Sequence, residues 1–204
     1  MKSLTYNKSF DKVCSKIIDL IRETQVASIL VAVVKNGRII WEEAFGWAIE
    51  KRELKLQLHT VYSLASISKP MTATDLMILA ERGLVYMNKP VNNYLGLAKL
   101  NAYEGKSSNS TVKRVLYHTS VLPLHWHFFY ENESYCRPNM DETIRHYGIL
   151  VAAPGEIYQY SNLGYGILDY IISRIPGKSY AQFMRSEVFL PLGMTHTSVG
   201  VGSG

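Results

Sequence analysis

Residues 28–46 constrain the fold of this chain most strongly. Ser28-Ile29-Leu30-Val31-Ala32-Val33-Val34 is a short apolar run rich in β-branched side chains. Asn36-Gly37 follows, and Arg38-Ile39-Ile40-Trp41-Glu42-Glu43-Ala44-Phe45-Gly46 leads away from it. A two-residue type I′ turn needs positive φ at both central positions, which Asn-Gly accepts at little steric cost. The stretch therefore predicts a β-hairpin turning at 36–37. Upstream, Phe10, Val13, Cys14, Ile17, Ile18 and Ile21 recur at helical spacing. They predict an amphipathic helix over about residues 8–24, packed on one face of the hairpin. Cys14 falls on the apolar side of that helix, where a buried free thiol is expected.

Beyond residue 63 the helical period dominates. A helix of about five turns opens at Ser66, after a strand-like run, and stops at Gly83 as its C′ residue. A capped helix starts at Ser110-Thr111 and ends near His118, and further helices cover 141–150, 163–175 and 180–189. The polar stretch 101–109 reads as a surface loop, and residues 123–140 as irregular and aromatic. The order predicts an α/β part over 1–62, a nucleophile helix with a mainly helical part over 63–194, and a return toward the sheet over 195–204.

Composition narrows the function classes. The chain has 204 residues, 47% of them hydrophobic, which suits one folded domain or one domain with a large insertion. Its net charge of +5 is spread without any Lys/Arg block, so it reads as a solvated surface and no nucleic acid is expected as partner. Two cysteines, Cys14 and Cys136, make no disulfide framework. The first eight residues lack the apolar core of a signal peptide, and no run is long enough to span a membrane. As written the chain reads as cytoplasmic, or periplasmic or extracellular if an export signal has been removed.

Chemistry concentrates at Ser66-Ile67-Ser68-Lys69. A serine and a lysine three apart share one face of a helix. A serine hydroxyl becomes a good nucleophile only when a neighbouring base takes its proton, and lysine serves only where its surroundings favour the neutral amine. The four-residue pattern also occurs at Ser9–Lys12 and Ser110–Lys113. What distinguishes Ser66 is its place at a helix start, with Tyr160-Ser161-Asn162 downstream. Without that context the plain reading of Ser66 is an N-cap serine. Tyr-x-Asn likewise recurs at Tyr86–Asn88 and Tyr130–Asn132, where a tyrosine of the core or rim is the plain reading. His125-Trp126-His127 reads as aromatic lining rather than as part of a metal site, and neither metal nor cofactor is expected.

Taken in order, Ser66-x-x-Lys69, His118-Thr119-Ser120, Pro154-Gly155, Tyr160-Ser161-Asn162-Leu163-Gly164-Tyr165 and Pro191-Leu192-Gly193-Met194 resemble the serine β-lactamase and penicillin-binding-protein superfamily. The branch most resembled holds class C β-lactamases, D-alanyl-D-alanine carboxypeptidases and family VIII esterases. The resemblance implies a β-lactamase/transpeptidase-like fold, α/β with a mainly helical subdomain. It also implies catalytic roles for Ser66 as acylated nucleophile, Lys69 as its proton-handling neighbour and Tyr160 as second acid and base. Asn162 would bind the substrate amide or Lys69. The implied partner is a small-molecule or peptide substrate: a β-lactam, a D-alanyl peptide or a small ester.

Two departures stand out. Valine follows His118-Thr119-Ser120 where the family often has glycine, so a different turn is expected at Val121. No Lys- or His-x-Gly follows Asn162; Lys35-Asn36-Gly37 and His146-Tyr147-Gly148 match the letters but precede it. The expectation is a fold lacking the C-terminal strands of its sheet, with self-association through the free sheet edge at 28–34. An impaired remnant acting as a binding or interaction module is the alternative to a working serine hydrolase.

Overall fold

A computed structural model describes residues 10–49, 53–125 and 137–200, in two compact units, residues 1–63 and 64–204. The first is built on the hairpin. Helix α1 (Asp11–Thr24) ends at Gln25 in the left-handed region, φ 55. Strands β1 (Ser28–Lys35) and β2 (Arg38–Ile49) pair antiparallel from Ser28–Gly46 to Lys35–Arg38, with an irregularity between Val33 and Val34. Asn36 and Gly37 both take positive φ, 51° and 71°, as a type I′ turn demands. A short β3 (Leu54–Lys55) adds to β2, giving the order β1-β2-β3. At Gly46, φ 86, an added Cβ would stand 2.2 Å from the Ala27 carbonyl oxygen, so the close pass of the two chains admits only glycine.

Helix α1 meets the hairpin where Phe10 stacks on Trp41, ring centroids 4.6 Å apart. The Cys14 thiol is half-buried rather than buried, because α1 buries no residue fully, and its Sγ donates to Glu43 Oε2 at 3.4 Å. Glu43 also accepts from the Trp41 indole at 3.1 Å. Burial, then the bond to the Glu43 carboxylate, pushes the thiol pKa up.

In the second unit a one-turn 3₁₀ segment, Ala65–Ser68, runs straight into α2 (Lys69–Glu81). Residues 61–64 before it are irregular, not a strand. Pro70 fits the first turn of α2, where its missing N–H would have no helical acceptor. Gly83 ends the helix at φ 69. The stretch read as a loop holds a two-residue strand, β4 (Asn101–Ala102). Helix α3 (Val112–Leu116) is capped by Thr111, whose side chain accepts the Arg114 N–H.

Helix α4 (Met140–Tyr147) carries a capping box between Asn139 and Glu142. It stops three residues before the expected end, because Ile149–Leu150 forms β5 and pairs in parallel with β4. Two residues are too few for a period-two pattern to reveal either strand. Helix α5 (Asn162–Arg174) is capped by the Ser161 hydroxyl. Helix α6 (Tyr180–Met184) loosens into a π-turn over Arg185–Phe189.

The core of this unit lies on the α2–α5 seam, where Leu76 and Leu79 meet Ile167, Leu168, Ile171 and Ile172, all fully buried. Each such side chain contributes about 1.5–3 kcal/mol by leaving water. This seam holds together the two helix starts that carry the polar residues.

Candidate active site

Ser66 is brought to the start of α2 by a strained residue. Ala65 sits at φ 45, a conformation that costs a residue with a Cβ about 1–2 kcal/mol. The turn is tied by Ser68 Oγ donating to the Ala65 carbonyl at 2.7 Å and by Ile67 N–H donating to Leu64 at 3.0 Å. Ser66 itself stays exposed and caps no helix. The N-cap alternative therefore fails; Ser68 precedes α2, and its side chain makes no cap bond either.

Four side chains expected from the sequence meet here. Lys69 Nζ donates to Ser66 Oγ at 3.1 Å and to Asn162 Oδ1 at 2.9 Å. The Tyr160 hydroxyl donates to the same Ser66 Oγ at 2.8 Å. The Lys69 ammonium also stands 4.8 Å from the centre of the Tyr160 ring and 5.5 Å from that of Tyr165. The Lys69 head group beside the phenol, then the Ser66 hydroxyl, hold the Tyr160 pKa below its ordinary value. Burial, with Tyr160 and other acids nearby, moves Tyr165 the opposite way. Of these two phenols, Tyr160 is the one shifted toward the ionised form.

Neither Ser110–Lys113 nor Tyr86–Asn88 assembles such a cluster. Ser110 is fully buried, and its hydroxyl donates to Ser120 at 3.1 Å. Tyr86 donates its main-chain N–H to the Tyr94 hydroxyl at 2.7 Å. Ser9 and Tyr130 lie outside the described residues, as do Trp126, His127 and the aromatic stretch to Tyr135. Among the described residues no group of three or more His, Cys, Asp or Glu is arranged to hold a metal ion.

The segment 118–124 supports the tyrosine triplet. Main-chain N–H groups of Val151, Gly155, Gln159 and Asn162 donate to the carbonyls of Val121, Thr119, His118 and Leu124. Ser161 Oγ donates to the Pro123 carbonyl at 2.7 Å while accepting the Gly164 N–H, so one hydroxyl both anchors the segment and caps α5. At the position where glycine is usual, Val121 takes φ 56 and is fully buried. Valine there adopts the left-handed conformation that glycine takes without strain.

Sequence reasoning missed what lies one turn deeper. Thr72, three residues after Lys69, has Oγ1 2.7 Å from the Tyr180 hydroxyl. Asp75 is fully buried with both carboxylate oxygens unpartnered, and Asp169 Oδ1 is unpartnered too. Burial first, then the Glu187 charge, pushes Asp75 up to about 7. Burial likewise raises Asp169 to about 7; Asp75 adds to the rise, and Thr72, Lys69 and Arg137 oppose it. The only sequence signal for the pair is two acids in otherwise apolar helical stretches.

The family model described as Beta-lactamase matches residues 13–203. This chain belongs to the beta-lactamase family. Penicillin-binding protein 4* of Bacillus subtilis (strain 168) is 32% identical over 179 residues, covering 83% of this chain and 37% of the relative. Protein flp of Staphylococcus aureus (strain NCTC 8325 / PS 47) is 31% identical over 175 residues, covering 84% and 34%. Among solved structures, the octameric penicillin-binding protein homologue from Pyrococcus abyssi superposes with a TM-score of 0.76 at 27% identity, over 90% of this chain and 43% of that one. A class C beta-lactamase gives 0.78 at 23% identity, over 100% and 54%.

The family and the β-lactamase/transpeptidase-like fold are thus those that the motifs of this beta-lactamase-family chain resemble. The chain spans about a third of the length of these curated relatives and about half that of the solved chains. No helix among the described residues is long and apolar enough to cross a membrane.

Proposed function

We propose that this chain carries the nucleophilic half of a serine hydrolase working through an acyl-enzyme at Ser66. The observation that carries the reading is the convergence of Lys69 Nζ and the Tyr160 hydroxyl on Ser66 Oγ, at 3.1 and 2.8 Å. With Tyr160 ionised, the bond to Ser66 reverses and the phenolate takes the serine proton as Oγ attacks the substrate carbonyl carbon. The Lys69 cation stabilises that phenolate, and the bond to Asn162 keeps the ammonium in place. The tetrahedral adduct collapses as Tyr160 returns the proton to the leaving nitrogen or oxygen, leaving an ester on Ser66. Water then attacks that ester, giving its proton to the same phenolate, which hands it to Ser66 Oγ as the C–O bond breaks and the acid leaves.

The substrate classes in keeping with the family are a β-lactam, a D-alanyl peptide or a small ester. Penicillin-binding protein 4* of Bacillus subtilis and the Pyrococcus abyssi homologue support a penicillin-type acyl donor as the first probe. The test is covalent labelling by such a probe, read by intact mass. One adduct is expected on the natural chain and none on Ser66→Ala, while Ser110→Ala keeps it. An adduct that survives Ser66→Ala sinks the assignment. If neither penicillin-type nor phosphonate probes react, the chain is a binding module that has kept the fold.

A further inference from the structure

His118 takes no part in the proton transfers just described, yet the tyrosine segment is tied to it twice. It stands two residues beyond α3 in the left-handed region, φ 58. Its main-chain carbonyl accepts the Gln159 N–H at 2.7 Å, and its ring Nδ1 accepts the Ser161 N–H at 3.1 Å. One residue thus grips the chain on both sides of Tyr160. Its ring centroid lies 4.5 Å from that of Tyr160, tilted by 35°, and 5.1 Å from that of Tyr165. Tyr158 meets it edge-on at 5.8 Å.

We propose that His118 is the positioning residue of the Tyr160-Ser161-Asn162 segment: its neutral imidazole, protonated on Nε2, holds the phenol against Ser66, and protonation of Nδ1 lets it go. The proposal rests on the reading of Ser66 and Tyr160 as the reacting pair. A nitrogen that accepts a hydrogen bond carries no proton, so the Ser161 N–H specifies the tautomer. The groups facing the ring are Lys69 from α2, Tyr165 from α5, and Tyr158 and Tyr160 from the segment before α5. Burial, then the Lys69 charge, lowers the His118 pKa, so the accepting form prevails at neutral pH.

Protonation would set a donor against a donor at Ser161 and bring a second cation beside Lys69. Both effects loosen the segment that carries Tyr160. The sign follows: acylation of Ser66 falls as pH drops through the His118 midpoint, below 6.5.

The test pairs imidazole ¹⁵N NMR with acylation kinetics on the full chain. The expected spectrum is the Nε2–H tautomer with a midpoint below 6.5, and a Ser161 amide shift that follows that titration. His118→Asn tolerates positive φ, and its Oδ1 can replace Nδ1 as acceptor. It should acylate within about tenfold of the natural chain and lose the acid limb of the pH profile, since a 1.4 kcal/mol change is about tenfold. His118→Phe keeps the ring but not the acceptor, and misplacing the segment should lower the rate by about 10- to 10²-fold. An Nδ1–H tautomer, a midpoint above 6.5 or an unchanged acid limb in His118→Asn overturns the proposal. If Ser66 of the natural chain is not labelled, the hydrolase reading fails, while the tautomer and the Ser161 amide titration still decide the role of His118.

Discussion

Replacing Asp75 by asparagine should flatten the fall in this protein's stability as pH rises from 5 to 8. Asp75 is fully buried with both carboxylate oxygens unpartnered, and its pKa is raised from 3.8 to about 7. The sign follows from linkage. Between those two values the folded state holds a proton that the unfolded state has released, so stability falls with rising pH. The contribution is fully present below 3.8 and lost as pH passes through about 7. From pH 5 to pH 8 the loss is about 2.7 kcal/mol in all, at up to about 1.36 kcal/mol per unit below the midpoint. Halved for solvent screening, it is still about 1.4 kcal/mol, a tenfold change in the folding equilibrium.

Asparagine does not titrate, so Asp75→Asn removes that slope. It also relieves Asp169, whose pKa Asp75 helps to raise. At pH 5 the variant has no such advantage, and a poorly bonded buried amide costs it about 1–3 kcal/mol. The informative quantity is therefore the change with pH. Urea unfolding followed by circular dichroism at pH 5, 6, 7 and 8 measures it for both proteins. The stability of Asp75→Asn minus that of the natural chain should climb by at least about 1.4 kcal/mol between pH 5 and pH 8. Parallel curves would show that Asp75 ionises without penalty and that its burial has been misjudged.

Other outcomes follow from the same geometry. Lys69→Ala and Tyr160→Phe should each slow acylation of Ser66 by about 10²–10⁴-fold, the range for losing a positioned acid or base. The double variant should lose less than the product, because both groups meet on one Oγ; stopped-flow kinetics giving multiplicative losses would place them in separate roles. Strand β1 pairs with β2 alone among the described strands, so its other edge is the expected place for a second chain to pair. Self-association through residues 28–34 should appear in light scattering and weaken in Val34→Lys, a 61%-exposed position where a charge leaves the fold intact; equal scattering from both would move the contact elsewhere.

What the sequence determined by itself was local. Asn36-Gly37 dictated a type I′ turn because the backbone of those two residues accepts positive φ, whatever surrounds them. Helices α2 and α5 were legible because apolar residues recur on faces long enough to count, and the order of short motifs was enough to point to the family. Strands β4 and β5 were not, since two-residue strands exist only through each other. Context in the chain favoured Ser66 over Ser110; the tertiary structure adds what surrounds each. Ser110 is fully buried against Ser120, whereas packing of α2 on α5 sets Lys69 2.9 Å from Asn162, ninety-three residues away. It also set the Ser161 N–H against the His118 ring, and buried Asp75 and Asp169 in the α2–α5 region with carboxylate oxygens unpartnered. Hydrogen-bond direction and desolvation depend on what arrives from distant parts of the chain, and neither is written in the spacing of neighbours.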